Sequence, residues 1–497
     1  MIQHFPVMIV LLPLSAALLC LLFSRLNKSV GSWLVIGSIG ASLLCSLQVL
    51  HQTLTNGGAA IHYWMGNWEP PLGIEFVIDP LSATMAVLIT FISLMVAVYS
   101  KPFMREEDWI RSGAFYTLYA LLTVGLCGMV ITGDVFNLYV YLEVMSLSGY
   151  GMIAMGGRKS MLAAFRYMLI GTIGASLYLL AVAYLYAMTG TLNMADLGVR
   201  IMPFLHTPPF ALAVACLFIG FGIKMALFPL HGWQPDAYNY AHPGSAAFIA
   251  GVMSKVPAYA IIRFFFYIFG VNNPIIGTAL NVLGILGIGG VLIGSIMALA
   301  QYDFRRMLAY SSVAQIGYIA IGLAIGNMYG FIGAVLHIIN HAFMKSALFL
   351  VIGGIQYRFG EINLYRLGGL NKKMTLSTIT VILAALSMVG IPPTAGFFSK
   401  WYLMLGAYQG GQYFYIVVLV ISSLLNAIYF FRILEQMFVQ HEASLTEVHR
   451  HEGKLGLPAE MAIPIFCAGI GILVLGFYSV DIVNDILKSG LPEVFLR

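Results

Sequence analysis

The chain has 497 residues, of which 60% are hydrophobic and only 9% are charged. Since a soluble domain carries about 25% charged residues, this composition excludes a soluble globular protein and indicates a polytopic membrane protein. The net charge of +5 is less informative than the positions of the charges. Residues 1–24 lack the basic start of a signal peptide, because Arg25 is the first Lys or Arg, and we interpret them as the first membrane span, with no cleavage expected.

The cysteines give no sign of a cofactor. All five lie in apolar runs without a CxxC pair, which predicts packing residues: Cys20, Cys45, Cys127, Cys216 and Cys467. The sequence also contains no Fe–S ligand set, no GxGxxG motif opening a βαβ unit and no P-loop. We therefore expect no cofactor and no bound metal, and any redox or ATP chemistry would have to lie on another chain.

Fourteen apolar stretches are long enough to cross a bilayer, which takes about 20 residues in a helix. In chain order, as spans one to fourteen, they are 6–24, 31–50, 78–99, 113–131, 134–155, 162–188, 209–239, 244–269, 275–299, 307–325, 330–352, 375–407, 413–437 and 459–480. Spans seven and twelve are too long for a simple helix, and each contains proline, glycine and a lysine. The sequence predicts an all-α polytopic membrane protein of about fourteen transmembrane helices.

The basic residues predict the orientation, because Lys and Arg favour cytoplasmic loops. With residues 1–5 outside, the outward loops before the C-terminal tail carry only Arg200. The inward loops carry all of the following: Arg25, Lys28, Lys101, Arg105, Arg111, Arg158, Lys159, Arg305, Arg306, Arg358, Arg366, Lys372, Lys373, Arg450 and Lys454. This bias predicts a multi-pass protein of a bacterial or archaeal cytoplasmic (inner) membrane, with both termini outside.

Three segments between or after the spans have distinct patterns. Residues 51–77 predict a short outward hairpin, and the amphipathic residues 481–497 predict a tail on the outer surface. A charged loop at 440–454 contains three histidines whose spacing requires no metal, so we favour a solvated loop there: His441, His449 and His451.

The two long spans share a pattern. GIKMALFPLHGW (222–233) and GIPPTAGFFSKW (390–401) both read Gly-Ile, nine residues, Trp, with proline inside. They lie five spans apart, and an odd separation gives the two copies opposite orientations. Interrupted segments at matching positions of inverted repeats mark transport sites. We therefore predict inverted repeats of spans four to eight and nine to thirteen, within these divisions of the chain: 1–110, 111–270, 271–438 and 439–497.

Charged residues inside spans are rare, because a charge at a helix centre costs about 2.5–3.5 kcal/mol on translocon-type scales. Glu143 lies in the middle of span five, Lys224 precedes the break at Pro229, and Lys255 lies in span eight. We expect Glu143 and Lys224 to form an ion pair, either to tune the proton affinity of the lysine or only as a structural pair.

Further titratable groups follow. His337, His341 and Lys345 are spaced by four, so they share one stripe of span eleven, and Lys400 follows the break of span twelve. Weaker candidates have ordinary alternatives: His231 as a cap of the broken helix, Asp134 as an N-cap rather than an entry group, and Arg263 as a residue that extends outward to the surface. The order of the groups along the spans predicts a lateral proton path through the middle of the membrane, linking two half-channels.

At these residues the chain resembles the antiporter-like subunits shared by respiratory complex I, Mrp-type cation/proton antiporters and membrane-bound hydrogenases. The matching motifs cover most of 110–402: Glu143 in its span, FGIKMALFPLHGWQPDAY, MSKVPAYAIIRF, ALAQYDFRRMLAYSSVAQIGYI, HIINHAFMKSALFLVIGG and GIPPTAGFFSKW. TGDVFNLYVYLEV and TGTLNMADL look most like the D-type branch of the Mrp antiporters and its hydrogenase relatives. One complex I relative carries Glu where this chain has Lys400, and the largest one has a long lateral helix after its core, which this chain lacks before its last residue, 497.

The resemblance implies a Mrp D-like subunit whose redox centres, if the complex has any, lie on partner subunits. The proton-conducting residues that it implies are Glu143, Lys224, Lys255, His337 or His341, and Lys400. We expect other membrane subunits as partners, protons and possible Na⁺ as the ions, and no nucleic acid. The leading hypothesis is a proton-translocating, non-enzymatic subunit of a Na⁺/proton antiporter; the alternatives are the same module in a redox-driven pump and, from another class, a stand-alone secondary transporter.

Overall fold

The structure, a computed structural model, describes residues 4–360, 363–364, 367–438 and 456–495. Helices dominate these residues, and their one sheet is a hairpin in which β1 (Ile61–Trp64) pairs antiparallel with β2 (Glu75–Ile78). This confirms the hairpin predicted between spans two and three. We call the membrane face that carries it the hairpin side.

The predicted spans are observed as helices. Spans one to six are Phe5–Leu26, Lys28–Thr55, Pro80–Tyr99, Trp109–Ile131, Val135–Ala154 and Arg158–Thr189. Spans nine to eleven are Pro274–Leu299, Phe304–Ala324 and Met328–Phe359, and spans thirteen and fourteen are Tyr413–Phe438 and Ala459–Phe477. By length and hydropathy 12 described helices qualify as membrane spans. The other two predicted segments are the 20-residue helix of span five and the broken span twelve, so the all-α membrane class is confirmed.

Span seven is broken as its proline predicts. Its first half-helix, Pro208–Met225, ends at Ala226, whose φ of 61° reverses the chain, and the second half is the short helix Gln234–Tyr240. Leu227 N donates to Gly222 O over 2.9 Å and satisfies one of the last carbonyls of the first half. Pro229 has no backbone donor and its ring crowds the preceding turn, which favours the break here.

Span twelve is broken in the same way, between Thr375–Val389 and Ala395–Gln409. Gly390 ends the first half with a φ of 93°, a left-handed conformation that favours glycine. The second half packs so closely on the first that a Cβ at Gly396 would lie 1.8 Å from the Ser387 carbonyl oxygen. Glycine at position 396 therefore holds the two half-helices together.

We expect Gly396→Ala to lower stability by about 1–3 kcal/mol, as overpacking does in other cores. The control is Gly277→Ala on span nine, where a Cβ meets no atom within 4 Å, so stability should hold or rise slightly. Thermal unfolding can be followed with a thiol-reactive dye, because four of the five cysteines are buried. Equal midpoints for the two variants would contradict the tight crossing.

The most buried spans form the centre of the bundle. Nearly every residue of span eight, Pro243–Ile268, is buried, and two of its stretches, Ile249–Met253 and Arg263–Ile268, are π-helical. Most residues of spans ten and eleven are also buried, whereas fewer than half of the residues of span one are. Titratable groups on spans eight and eleven therefore lie in the middle of the protein, away from lipid.

Two surface predictions fare differently. The tail after span fourteen packs on the bundle, with Val483 and Leu487 buried and the Tyr267 hydroxyl donating to Gly490 O. Arg263 does not extend outward as predicted, because Asp79 binds its guanidinium and the side chain stays only 13% exposed. The predicted histidine loop at 440–454 lies outside the described residues.

A buried row of lysines and histidines

Six basic groups from spans seven, eight, eleven and twelve lie inside the protein, and we call them the central row. None is more than 4% exposed: Lys224, Lys255, Lys345, His341, His337 and Lys400. All six were predicted from the sequence. The structure places each of them on a buried helix face, and their contacts show which are neighbours.

Lys224 occupies the C-terminal end of the first half-helix of span seven. Its ammonium donates to Ser146 Oγ over 2.6 Å and to the Tyr150 hydroxyl over 3.2 Å, both on span five. The same nitrogen lies 6.0 Å from the centre of the Tyr167 ring, within the range of a cation–π contact. Neutral oxygens and rings thus surround the amine.

Glu143 does not form the ion pair with Lys224 that the sequence predicted, since no ion pair within 4.0 Å joins the two among the described residues. The charges still interact electrostatically. The physical reason is the helix face: Glu143 shares a stripe of span five with the exposed residues Phe136, Val140 and Leu147. The amine instead contacts Ser146 and Tyr150, which follow Glu143 by three and seven residues on the same helix.

Lys255 follows directly on the first π-helical stretch of span eight, and its ammonium donates to the Ala250 carbonyl oxygen. A π-helical turn displaces the regular hydrogen bonds, and such turns are frequent at functional sites. The charge of Lys255 interacts with His337, His341 and Lys345 of span eleven. Lys255 is therefore the group that links span eight to the histidine stripe.

The two histidines stack on each other, with ring centres 5.9 Å apart and planes 10° from parallel. His337 Nδ1 lies 3.0 Å from Ser399 Oγ, the neighbour of Lys400 in the sequence. Lys345 donates to Leu308 O over 2.8 Å on span ten. The stripe predicted on span eleven thus contacts span ten through Lys345 and span twelve through His337, and it interacts electrostatically with Lys255 of span eight.

Lys400 folds back onto the first half-helix of its own span. Its ammonium donates to Met388 O and Val389 O over 2.8 and 3.0 Å, and to Ser423 Oγ over 3.0 Å. The acceptors at Met388 and Val389 are the last carbonyls of Thr375–Val389, where the helix dipole favours a cation.

The two broken spans also share a lysine at the end of the first half-helix. In span seven the lysine is part of the end of the first half-helix, and in span twelve Lys400 reaches back to the same position from the second half. The sequence pattern alone, with Lys224 before its break and Lys400 after it, does not reveal this correspondence.

The supporting residues take local roles. Asp134 is the N-cap of span five and accepts from Asn137 N over 2.6 Å, and burial raises the pKa of its carboxyl above the ordinary value. His231 stacks on Phe228 inside the break of span seven, with ring centres 5.5 Å apart. Its Nδ1 is buried without a hydrogen-bond partner in the described part of the chain, so this nitrogen does not cap the helix.

Neutral residues of the site escaped the sequence analysis, which searched for charges. Ser146 and Tyr150 lie three and seven residues after Glu143, a helical spacing that marks them as neighbours. Gln315 is fully buried on span ten, and within the described ranges neither its side-chain atoms nor either nitrogen of His341 has a hydrogen-bond partner. Buried polar atoms in proteins are usually paired with protein groups or with water, so these atoms mark the centre as polar.

Comparisons with known proteins follow this geometry. The family described as NADH:quinone oxidoreductase/Mrp antiporter, TM, matches residues 132–426, and the N-terminal family of complex I chain 5 matches residues 64–112. The chain belongs to this antiporter-like family. The predicted resemblance is thereby confirmed, and the matched region contains the whole central row.

Relatives come from both branches of the family. The N-type subunit of a NADH-quinone oxidoreductase from Desulforudis audaxviator is 45% identical over 99% of both chains. The D-type subunit of a Na⁺/H⁺ antiporter from Alkalihalophilus pseudofirmus is 31% identical over 98% of this chain and 97% of its own. A chain of the membrane-bound sulfane sulfur reductase, an archaeal respiratory complex, superposes with a TM-score of 0.89 at 27% identity, covering 99% and 98% of the two chains. The chain is thus an antiporter-like subunit of Mrp or complex I-like complexes.

Proposed function

We propose that this subunit moves protons along the central row. The observation that carries the proposal is the series of buried groups in which Lys255 interacts electrostatically with the two stacked histidines, and His337 contacts Ser399 and interacts electrostatically with Lys400. Lysine and histidine side chains both accept and release protons, so each member of the row can pass a proton on.

The row also explains how charge would move. A charge on one buried basic group disfavours a charge on its neighbour, and Lys255 interacts in this way with both histidines. A proton arriving at one end of the row therefore makes the next group more ready to release its own. Water bound to unpartnered polar atoms, such as those of Gln315, would bridge groups of the row that do not touch.

The entrance that we propose for the row lies opposite the hairpin side. A cavity of about 500 Å³ is lined there by Asn239 and Tyr240, at the end of the second half-helix of span seven, and by Arg305. The buried helix Gln234–Tyr240 leads from this cavity to the break beside Lys224. We propose it as the entrance for protons from the face that the basic loops predict to be cytoplasmic.

The position of Glu143 favours a partner subunit that covers this face of span five. A partly exposed carboxylate among exposed apolar residues at membrane depth is costly in lipid. A neighbouring membrane subunit that covers this stripe would remove the cost, in agreement with relatives that are subunits of larger complexes. We propose that the chain works only within such a complex.

The identity of that complex has two candidates. The sequence motifs favoured the Mrp antiporter, whereas the 45% identity to the oxidoreductase relative, against 31% to the antiporter relative, favours a redox-driven complex. Purification through a tagged version of this chain, followed by reconstitution, separates them. A redox-driven pump acidifies vesicles when given electron donor and acceptor, whereas an antiporter exchanges protons for Na⁺ without either. Coupled exchange by the isolated chain would instead support a stand-alone transporter.

We expect Glu143 to act on Lys224 through the shared neighbour Tyr150. Glu143→Gln and Tyr150→Phe should each slow driven transport, and the double variant should deviate from additivity by about 0.5 kcal/mol or more. The control partner is Thr172→Val, which removes a hydroxyl from the exposed face of span six and should be additive with Glu143→Gln. Additivity in both cycles would show that Tyr150 does not connect the two charges.

A further inference from the structure

Span eight carries a second cation that the proton path does not use. Arg263 binds Asp79 with both ends of its guanidinium, Nη1 to Oδ2 over 2.5 Å and Nη2 to Oδ1 over 2.5 Å. The two side chains are only 13% and 17% exposed. Asp79 precedes span three directly after β2, so the pair lies toward the hairpin side.

Arg263 stands between Lys255 and that surface. Lys255, Tyr259 and Arg263 are spaced by four along span eight, which places them on one stripe. Eight residues of helix correspond to about 12 Å along the axis at 1.5 Å per residue. A proton leaving Lys255 along its own helix toward the hairpin side would therefore meet Tyr259 first and Arg263 next.

Tyr259 has no proton free to pass on. Its hydroxyl donates to Val130 O over 2.7 Å and accepts from Arg263 Nε over 2.6 Å. Its ring also stacks against the guanidinium, whose central carbon lies 5.0 Å from the ring centre, and the Tyr267 ring lies 4.5 Å away on the same cation. The position of the guanidinium is thus fixed by two rings and a carboxylate.

The guanidinium of Arg263 blocks proton transfer at this position. Proton transfer requires an acceptor at each step, and a guanidinium has five donors, no acceptor and a proton that it does not release. Its fixed charge also repels an excess proton, as cationic barriers do in selective pores. The Asp79 carboxylate offers no easy bypass, since Oδ1 also accepts from Ser82 N over 2.8 Å.

We propose that Arg263, held by Asp79 and Tyr259, is a proton barrier that closes span eight toward the hairpin side. With this exit closed, a proton on Lys255 moves sideways to the histidines of span eleven. The barrier prevents protons from leaking through the row and dissipating the proton gradient across the membrane. This inference rests on the proposed function, because the barrier blocks one exit of the proposed proton path.

The test measures passive proton leak in the reconstituted complex under an imposed K⁺ diffusion potential, with no driving substrate. The variant Asp79→Asn/Arg263→Gln removes both charges together and avoids leaving one buried charge unpaired. We expect its leak to rise roughly fivefold or more over wild type. Adding Lys255→Ala should return the leak to the wild-type level, because the leak must pass through that amine; a merely structural pair would give no such dependence.

The control is Asp196→Asn/Arg200→Gln, which removes another Asp–Arg pair, 2.8 Å apart, from the loop after span six. Its leak should equal that of wild type. If the main double variant does not assemble, Arg263→Lys decides, since lysine keeps the pair with Asp79 but can release its proton, and its leak should exceed wild type. A wild-type leak in either assembled variant overturns the barrier.

Failure of the barrier and failure of the proposed function give different results. If Lys255→Ala abolishes driven transport while the proton leak of Asp79→Asn/Arg263→Gln equals that of wild type, the proposed path is supported and the barrier is wrong. If Lys255→Ala leaves driven transport at the wild-type rate, the proposed path through span eight fails, and the barrier fails with it.

Discussion

Lys224→Met is expected to stop driven proton transport while the complex still assembles. Methionine is unbranched and close to lysine in volume, so it fills the space beside Tyr167 without a cavity. It cannot carry a proton, and Ser146 and Tyr150 lose the donor that they now share. We expect the transport rate to fall by a factor of about 100 or more, the lower end of what proton-transfer groups contribute.

The measurement is dye-detected acidification of vesicles, with assembly checked on native gels and the amount of complex by staining. The matched control is Lys488→Met, an exposed lysine of the C-terminal tail, which should transport at the wild-type rate. Wild-type transport by an assembled Lys224→Met complex would exclude Lys224 as an obligatory carrier. The row would then begin at Lys255.

Much of the fold follows from local signals. Each span is a run of apolar residues whose length matches a bilayer, so hydropathy locates it without any long-range information. The breaks are equally local, because Pro229 and Gly390 impose backbone conformations on their immediate neighbours. The central row was found because a charge within an apolar run is rare enough to be noticed alone.

What the sequence could not provide is the partner of each charge. Arg263 was expected at the surface because it lies late in a span, whereas its carboxylate partner Asp79 is 184 residues earlier. The expected pair of Glu143 and Lys224 failed for a related reason: the helical phase that places Glu143 outward depends on which neighbours cover span five. Partners over long separations are set by packing, and one sequence does not specify it.

For Lys400, too, the local sequence predicts the residue but not its hydrogen-bond partners. Its importance could be predicted from the repeated break, but its acceptors could not, since they belong to the half-helix before the break. All three amine donors are used, on Met388 O, Val389 O and Ser423 Oγ. A neutral amine would keep these contacts by donating to the two carbonyls and accepting from the Ser423 hydroxyl, so this geometry accommodates the side chain with or without its extra proton.

Lys400→Arg separates charge from proton release. A guanidinium can donate to the same two carbonyls and keeps the favourable charge at the helix end, so fold and assembly should be preserved. Because arginine does not give up its proton at accessible pH, transport should drop by a factor of about 100 or more. The control is Lys488→Arg, an exposed residue of the C-terminal tail, which should leave the rate unchanged.

Lys400→Glu provides the contrast. A carboxylate facing two carbonyl oxygens at a helix C-terminus is repelled, so the side chain would be held protonated and would donate a single hydrogen bond. It keeps a proton that can be exchanged, and we expect it to retain more transport than Lys400→Arg, in the same acidification assay. If Lys400→Arg moved protons at the wild-type rate, release at position 400 would be excluded. The row would then have to end at His337 or continue through another subunit of the complex.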